Sequence, residues 1–327
     1  MASEIELIER VRRQFPSARG GLRIGIGDDA AVLRPGVGRD WVVTVDAFLE
    51  NVHFLRKVHP PKAVGHKALA RAASDIAAMG ARARFFFLTV GLPDACTRAW
   101  LDDFLDGMAR AARRFGLTLA GGDTTKYPLV VASLTVVGET DRSNAILRSG
   151  ARPGDLLCVS GRLGEAELGL RLLRRKLHKR KPWAGFLKKH FYPEPRLALG
   201  EWLAAHRCVT SMIDTSDGLS TDLGHICKAS GAGAIVWATK IPVVKIPPEL
   251  RRLGLDPLDL AVNGGEDYEL LFTVPKKYSG RLPRKIKGVS VTVIGEINRD
   301  KKVFLLGPDG SRTRLQPKGW DPFRKKS

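Results

Sequence analysis

The chain has 327 residues, 44% of them hydrophobic and 27% charged, with a formal net charge of +20. That balance is ordinary for a globular protein with enough material for one large or two ordinary domains, and no stretch approaches the ~20 apolar residues that cross a bilayer. The excess of Lys and Arg favours phosphate-bearing partners, whether nucleotides, nucleic acid or anionic surfaces, without choosing among them.

In chain order, Ile5, Ile8, Val11 and Phe15 recur at helical spacing among Glu4, Glu6 and Glu9. This predicts an amphipathic first helix, not a signal peptide, and makes the cytoplasm the expected location. Apolar runs at 41–45, 84–90 and 129–137 read as strands, separated by helices over 62–79 and 97–115. The turn-rich segment RSGARPGD, 148–155, opens a strand at 156–160. The domain boundary is placed there, giving domains 1–147 and 148–327. Helices near 164–177 and 195–206 and strands near 234–237, 270–274 and 289–294 complete a mixed α/β (α+β) reading with mainly antiparallel sheets. The basic stretch 171–190 reads as a solvated helix end and loop, since no zinc-finger, RNA-recognition or KH signature accompanies it. Cys96, Cys158, Cys208 and Cys227 form no C-x-x-C pair, so reduced thiols are expected, and His206-x-Cys208 and His225-x-Cys227 read as packing.

Acidic residues are scarce, yet a set of them recurs beside Gly, Ser or Thr. These are Asp28 and Asp29 in GIGDDA, Asp46 in VVTVDAF, Asp75 in AASDIAAMG, Asp123 in AGGDTT, Asp214 and Asp217 in IDTSDGL, and Glu266 and Asp267 in NGGEDYEL. Each alone reads as a turn or a cap. Several share a layout in which an apolar strand ends in small residues and an Asp, where side chains enter loops at the sheet margin. Carboxylates that converge at about 5 Å repel by roughly 3 kcal/mol at an effective dielectric near 20. Hard oxygen ligands without His or Cys suit Mg²⁺, and Mg²⁺ suits phosphoryl transfer. No G-x-x-x-x-G-K-[ST] loop is present, Gly25-x-Gly27 lacks the rest of a dinucleotide fingerprint, and H-R-D and D-F-G are absent. An ATP enzyme here belongs to another architecture.

Seven motifs in order, GIGDDAAVL, VDAFLENVHF, KALARAASDIAAMGA, LAGGDTT, RSGARPGD, IDTSDGLSTDLGHI and NGGEDYEL, resemble the thiamine-monophosphate kinase family. That family lies within the aminoimidazole-ribonucleotide-synthetase-like ATP-binding superfamily. The resemblance runs from about Gly25 to Asp321. It implies two mixed α/β domains, the N-terminal one binding ATP and metal and pairing its sheet with a second copy in a homodimer. The C-terminal domain would complete the nucleotide and substrate site. It implies direct transfer of the γ-phosphoryl group of ATP to thiamine phosphate, with several Mg²⁺ ions and no phosphoenzyme.

Carried onto this sequence, Asp29, Thr44, Asp46, Asp75, Asp123, Asp214 and Asp217 match metal positions, with Asp28 a neighbouring candidate. Asp46, Asp123 and Asp217 are the expected catalytic set. Where the family often has Ser or Thr before the motif Asp, this chain has Val45, which offers only its backbone carbonyl. Gly122, Asp123, Arg148 and Ser216 match nucleotide positions, and a guanidinium such as Arg148 binds phosphate oxygens in a fork. His53, Glu266 and Trp320 match substrate positions, Trp320 as a stacking face for a cationic ring. Two alternatives stand beside this reading. One is another ATP-using enzyme of the superfamily, such as an aminoimidazole-ribonucleotide synthetase. The other is a basic nucleic-acid-binding protein on a degenerate enzyme fold, against which the carboxylate set speaks.

Overall fold

The computed structural model describes residues 22–24, 28–34, 37–177, 181–320 and 323. The first helix expected around Ile5–Phe15 lies outside the described residues, as do Gly25 and Gly27.

The first half begins with short strands β1 (Leu22–Ile24) and β2 (Ala31–Leu33), followed by the long β3 (Arg39–Leu49). Helix α1 (Pro61–Ala78) leads to β4 (Arg82–Leu92). Helix α2 (Ala99–Phe115), β5 (Thr118–Lys126) and β6 (Val131–Asp141) complete this half. Six strands form one sheet in the order β1-β2-β3-β6-β4-β5, antiparallel except for the β4–β5 pair.

Beyond the turn come β7 (Leu156–Ser160), α3 (Glu165–Arg174), α4 (Leu187–Phe191) and α5 (Leu197–His206). Next are β8 (Ser211–Asp214), α6 (Leu219–Ser230), β9 (Gly233–Trp237), α7 (Pro248–Arg252) and α8 (Pro257–Asn263). The chain closes with β10 (Leu270–Val274), β11 (Lys285–Ile286), β12 (Val289–Asn298), β13 (Val303–Leu306) and β14 (Arg312–Arg314). The second sheet runs β14-β13-β9-β12-β7-β10-β8, with β11 on β12, and only β9–β13 is parallel. The mainly antiparallel mixed α/β architecture expected from the pattern is therefore the one observed.

Helix α1 is the pivot of the fold. It starts at a proline in its first turn, where the missing N–H costs nothing, and its alanine-rich sequence lets it be buried nearly all round. It packs on α2 and the first sheet on one side and on α5 and β8 on the other. The approach to α2 is close enough that a Cβ on Gly65 would sit 1.9 Å from the Phe104 carbonyl oxygen. A single apolar cluster then runs from Leu69 and Ile76 of α1 to Leu203, Met212 and Phe272 of the second half. Polar residues on α1 are thereby carried into the seam between the two sheets.

The outer face of the first sheet stands apart. Alternation on β3 and β4 buries Val42, Phe48, Phe86 and Leu88 and exposes Trp41, Val45, Phe85 and Phe87. Leu119 of β5 is also exposed, but it pairs with Phe86 and so lies on the other face of the sheet, at its edge.

Candidate active site

A cavity of about 400 Å³ opens in the seam, walled by β3, α1, α3, the loop after β8, the Gly264–Tyr268 loop and the segment Lys318–Trp320. Three elements bring carboxylates to its inner corner. Asp29 precedes β2, Asp75 lies on α1 and Asp214 ends β8, and one oxygen from each lies within 4.8 Å of the others. Asp46 and Asp217 line the same cavity.

The pleat of β3 explains why Asp46 is there. Every second residue faces inward, so Asp40, Thr44 and Asp46 share the face that covers α1. Asp40 is held by Arg23 and Arg34. The Thr44 hydroxyl donates to Asp75 Oδ2 at 2.6 Å, and Arg71 forks onto Asp46 at 3.1 and 3.2 Å. Val45 points its side chain to the opposite face, where it is 66% exposed, so only its peptide group remains for the cavity.

Burial and mutual repulsion load the acidic corner. Burial, then the charges of Asp214, Asp46 and Asp29, raise the Asp75 carboxyl well above its ordinary range. Burial and Asp29 push Asp214 up to about 7, although the Ser74 hydroxyl donates to its Oδ2 at 2.6 Å. Asp28 rises to about 6 through burial and the neighbouring Asp29. Arg148 partly compensates, binding Asp29 through Nε at 2.9 Å and Nη2 at 2.8 Å. Its own peptide N–H points at Asp28, at 3.3 Å. The donor set, all hard oxygens with excess negative charge, is one that a divalent cation such as Mg²⁺ fits.

The opposite end of the cavity is built from two zipped loops. The Ser216 carbonyl accepts the Glu266 N–H at 2.8 Å and the Thr215 carbonyl accepts the Tyr268 N–H at 3.0 Å. A Cβ on Gly265 would lie 2.4 Å from the Ser216 carbonyl oxygen, which is why glycine stands there. Glu266 and Tyr268 both adopt left-handed backbone conformations, at φ 65° and 50°, strain of the kind that clusters at working sites. Between them Asp267 accepts from the Gly164 and Ala166 N–H groups at 2.5 and 3.0 Å, tying the loop to the start of α3. Burial works to raise the Glu266 carboxyl, but Lys67 and His190 beside it hold it well below the ordinary range.

His53 lines this end of the cavity. The Leu49 N–H donates to its Nδ1 at 3.0 Å and its ring stacks on Phe48. Burial and then Arg71 lower its pKa to about 4, so the ring is neutral and its proton sits on Nε2. Trp320 stands at the mouth, 44% exposed, its backbone N–H donating to the Asp217 carbonyl at 3.2 Å.

Gly122 and Asp123 are placed elsewhere. The register Ala47–Ser133–Thr89–Asp123 puts Asp123 three strands from β3, about 14 Å at the usual strand spacing. Directly paired residues share a face, so Asp123 lies on the outer face with Thr89, opposite to Asp46. Within one chain it does not join the corner. The expected strand-end layout also needs correction: Asp46 and Asp123 lie inside β3 and β5, which run on for three more residues. Asp214 does end its strand.

Sequence reasoning passed over Lys67 and Arg71, although Lys67, Arg71 and Asp75 recur at intervals of four and so share one face of α1. It also missed Tyr268, Lys318 and His190, the last inside the basic stretch taken as solvated.

Residues 27–140 match the family model for AIR synthase related protein, N-terminal domain. The thiamine-monophosphate kinase of Escherichia coli strain K12 is 36% identical over 329 residues, covering 98% of each chain. That of Bacillus subtilis strain 168 is 32% identical over 308 residues, covering 92% of this chain and 94% of the relative. Among solved structures, AaThiL complexed with AMPPCP and TMP superposes with a TM-score of 0.85 at 31% identity, covering 98% of this chain and 97% of that one. With relatives this similar over nearly its whole length, the chain belongs to the thiamine-monophosphate kinase family.

Proposed function

We propose that this chain transfers the γ-phosphoryl group of ATP to thiamine phosphate, giving ADP and thiamine diphosphate. The observation that carries the reading is a single cavity lined by Asp75 and Asp214, which Asp29 joins in one carboxylate cluster, and by His53 and Glu266, with Trp320 at the mouth. One end suits polyphosphate with its cations, and the other a compact cationic ring system. The solved relative with both AMPPCP, an ATP analogue, and TMP supports the pairing of substrates.

Asp29, Asp75 and Asp214, with Asp46 and Asp217 alongside and Thr44 and the Val45 carbonyl behind them, would hold several Mg²⁺ ions. When bound, these supply charge neutralisation between two polyanions. Arg148 keeps donors toward a phosphate while its other edge fixes Asp29. Ser216, which lines the cavity two residues after Asp214, is proposed as a nucleotide contact on the strength of its motif. His53 offers an N–H donor and Glu266 a carboxylate to the acceptor, with Trp320 as a stacking face at the mouth. The acceptor oxygen is already anionic, so no residue is needed to remove its proton, and alignment carries the rate. Asp46, Asp123 and Asp217 are proposed as the catalytic carboxylates. Gly122 and Asp123 are retained as nucleotide and metal positions on the strength of their motif alone.

The uncovered face of the first sheet supports a homodimer, since Trp41, Val45, Phe85 and Phe87 form a patch of the kind that another protein surface covers. The division at 147/148 is proposed from the turn that precedes β7. No helix among the described residues is long and apolar enough to cross a membrane, and a cytoplasmic location goes with the proposed substrates.

Thermal stabilisation tests the reading at the level of binding. Mg²⁺ with an ATP analogue should raise the melting temperature, thiamine phosphate should add to it, and neither nucleotide nor metal alone should match the pair. Stabilisation by single-stranded nucleic acid but not by Mg²⁺ and nucleotide would refute it.

A further inference from the structure

Glu266 is reached by a buried hydrogen-bond relay that the proposed reaction does not itself account for. Both contacts converge on its Oε2, Lys67 Nζ at 2.7 Å and His190 Nδ1 at 3.4 Å, and the two nitrogens lie 3.5 Å from each other. Lys67 is 1% exposed, and burying an ammonium is costly unless a specific partner repays it. Behind His190, its Nε2 lies 3.2 Å from His59 Nε2, and His59 Nδ1 lies 3.1 Å from the Leu55 N–H.

The contacts along this chain favour one order of protons. The Leu55 carbonyl is also 3.1 Å from His59 Nδ1, but it already accepts the Val58 and His59 N–H groups at 2.9 Å each. The Leu55 N–H has no other acceptor among the described residues, so His59 Nδ1 accepts it. His59, kept neutral by burial and by His190, then carries its proton on Nε2 and donates to His190 Nε2. His190, itself buried and neutral, is left with its proton on Nδ1, facing Glu266 Oε2. The reverse order would cost the Leu55 N–H its protein acceptor and set a ring lone pair 3.4 Å from the carboxylate, offset only by Lys67 Nζ at 3.5 Å.

We propose that Leu55, His59, His190 and Lys67 form a positioning relay that fixes the Glu266 carboxylate by its Oε2, leaving Oε1 free to accept from the cationic, amino-bearing part of the acceptor. Among the described residues no donor occupies Oε1. Helix α1 thereby serves both ends of the cavity from one face: Lys67 sets the acceptor's carboxylate, Arg71 sets Asp46, and Asp75 joins the acidic corner. The inference rests on the proposed acceptor site.

The test combines kinetics with a direct reading of the protons. In the wild-type protein, ¹⁵N spectra of the histidine rings should show His190 as the Nδ1–H tautomer and His59 as the Nε2–H tautomer; the opposite pattern overturns the relay whatever the substrate. His190→Phe should raise KM for thiamine phosphate about tenfold or more, with KM for ATP within twofold. Lys67→Met, close in volume, should do the same, and Lys67→Arg should recover part of the loss. In a Glu266→Ala background His190→Phe should cost little further. An equal rise in both KM values, or a full additional cost in the Glu266→Ala background, overturns the proposal. A wild-type protein that forms no thiamine diphosphate would refute the acceptor reading instead, while the tautomers still report on the relay.

Discussion

Arg148 and Asp29 are joined by a two-point contact, Nε to Oδ2 at 2.9 Å and Nη2 to Oδ1 at 2.8 Å, which locks the guanidinium plane against the acidic corner. A planar fork held in this way presents its remaining donors in a fixed direction, and a lysine cannot reproduce that. Arg148→Lys should therefore raise KM for ATP about tenfold and lower kcat/KM by 10- to 100-fold, while KM for thiamine phosphate changes little. Steady-state kinetics with each substrate varied in turn provides the check.

Asp214 should show effects of opposite sign with and without cation. Its pKa is pushed up to about 7 by burial and by Asp29. Ionisation of such a raised carboxyl costs native-state stability progressively as pH climbs from its ordinary 3.8 toward 7. Asp214→Asn removes that cost, so at pH 8 without divalent cations the variant should be more stable by on the order of 1–3 kcal/mol. The same change should abolish Mg²⁺-dependent stabilisation and lower kcat by a hundredfold or more. Denaturant unfolding with and without Mg²⁺, alongside turnover, measures both signs.

Glu269 anchors the far side of the same loop. Ser160 Oγ at 2.6 Å, Lys189 Nζ at 2.9 Å and Arg196 hold it. Burial works to raise its pKa, but these partners hold it at about 2, against an ordinary 4.5. A lowered acid contributes stability that is complete above about 4.5 and disappears as pH falls toward 2. The depression corresponds to roughly 3 kcal/mol. Between pH 5 and pH 2 the wild-type protein should lose about that much more stability than Glu269→Gln, as read from urea midpoints.

Asp123 faces the exposed side of the first sheet, with Phe87 one strand away. If a second copy covers that side, Phe87→Glu should shift the protein from dimer to monomer by sedimentation. Activity should then fall by a factor similar to that for Asp123→Asn, although Phe87 does not line the cavity. A monomer that keeps full activity would detach Asp123 from the reaction.

Much of this site was legible because its carboxylates stand beside residues chosen for backbone reasons. Asp29, Asp75, Asp214 and Asp217 announced themselves through Gly and Ser neighbours, and the structure brings the last three to one cavity and Asp29 into a cluster with Asp75 and Asp214. The alternation around Thr44 and Asp46 was readable as strand periodicity. Gly-Gly-Asp in 121–123 read as a turn because glycine is a poor strand former, yet it runs through β5. A Cβ on Gly122 would sit 1.9 Å from the Leu88 carbonyl oxygen, so glycine marks a close strand approach there. Lys67 and His190 were hidden for a different reason. In a chain of net charge +20, one lysine on an alanine-rich helix and one histidine in a basic run carry no local signal. Only the packing of α1 against the second half turns them inward.

The measurement that tests the central claim most directly is product analysis after incubation with ATP, Mg²⁺ and thiamine phosphate, run in parallel on the wild-type chain and on Asp46→Asn. The account predicts thiamine diphosphate and ADP in equal amounts, formed only with Mg²⁺ and largely lost in the variant. ADP released without thiamine diphosphate, or equal product from the two proteins, would contradict it.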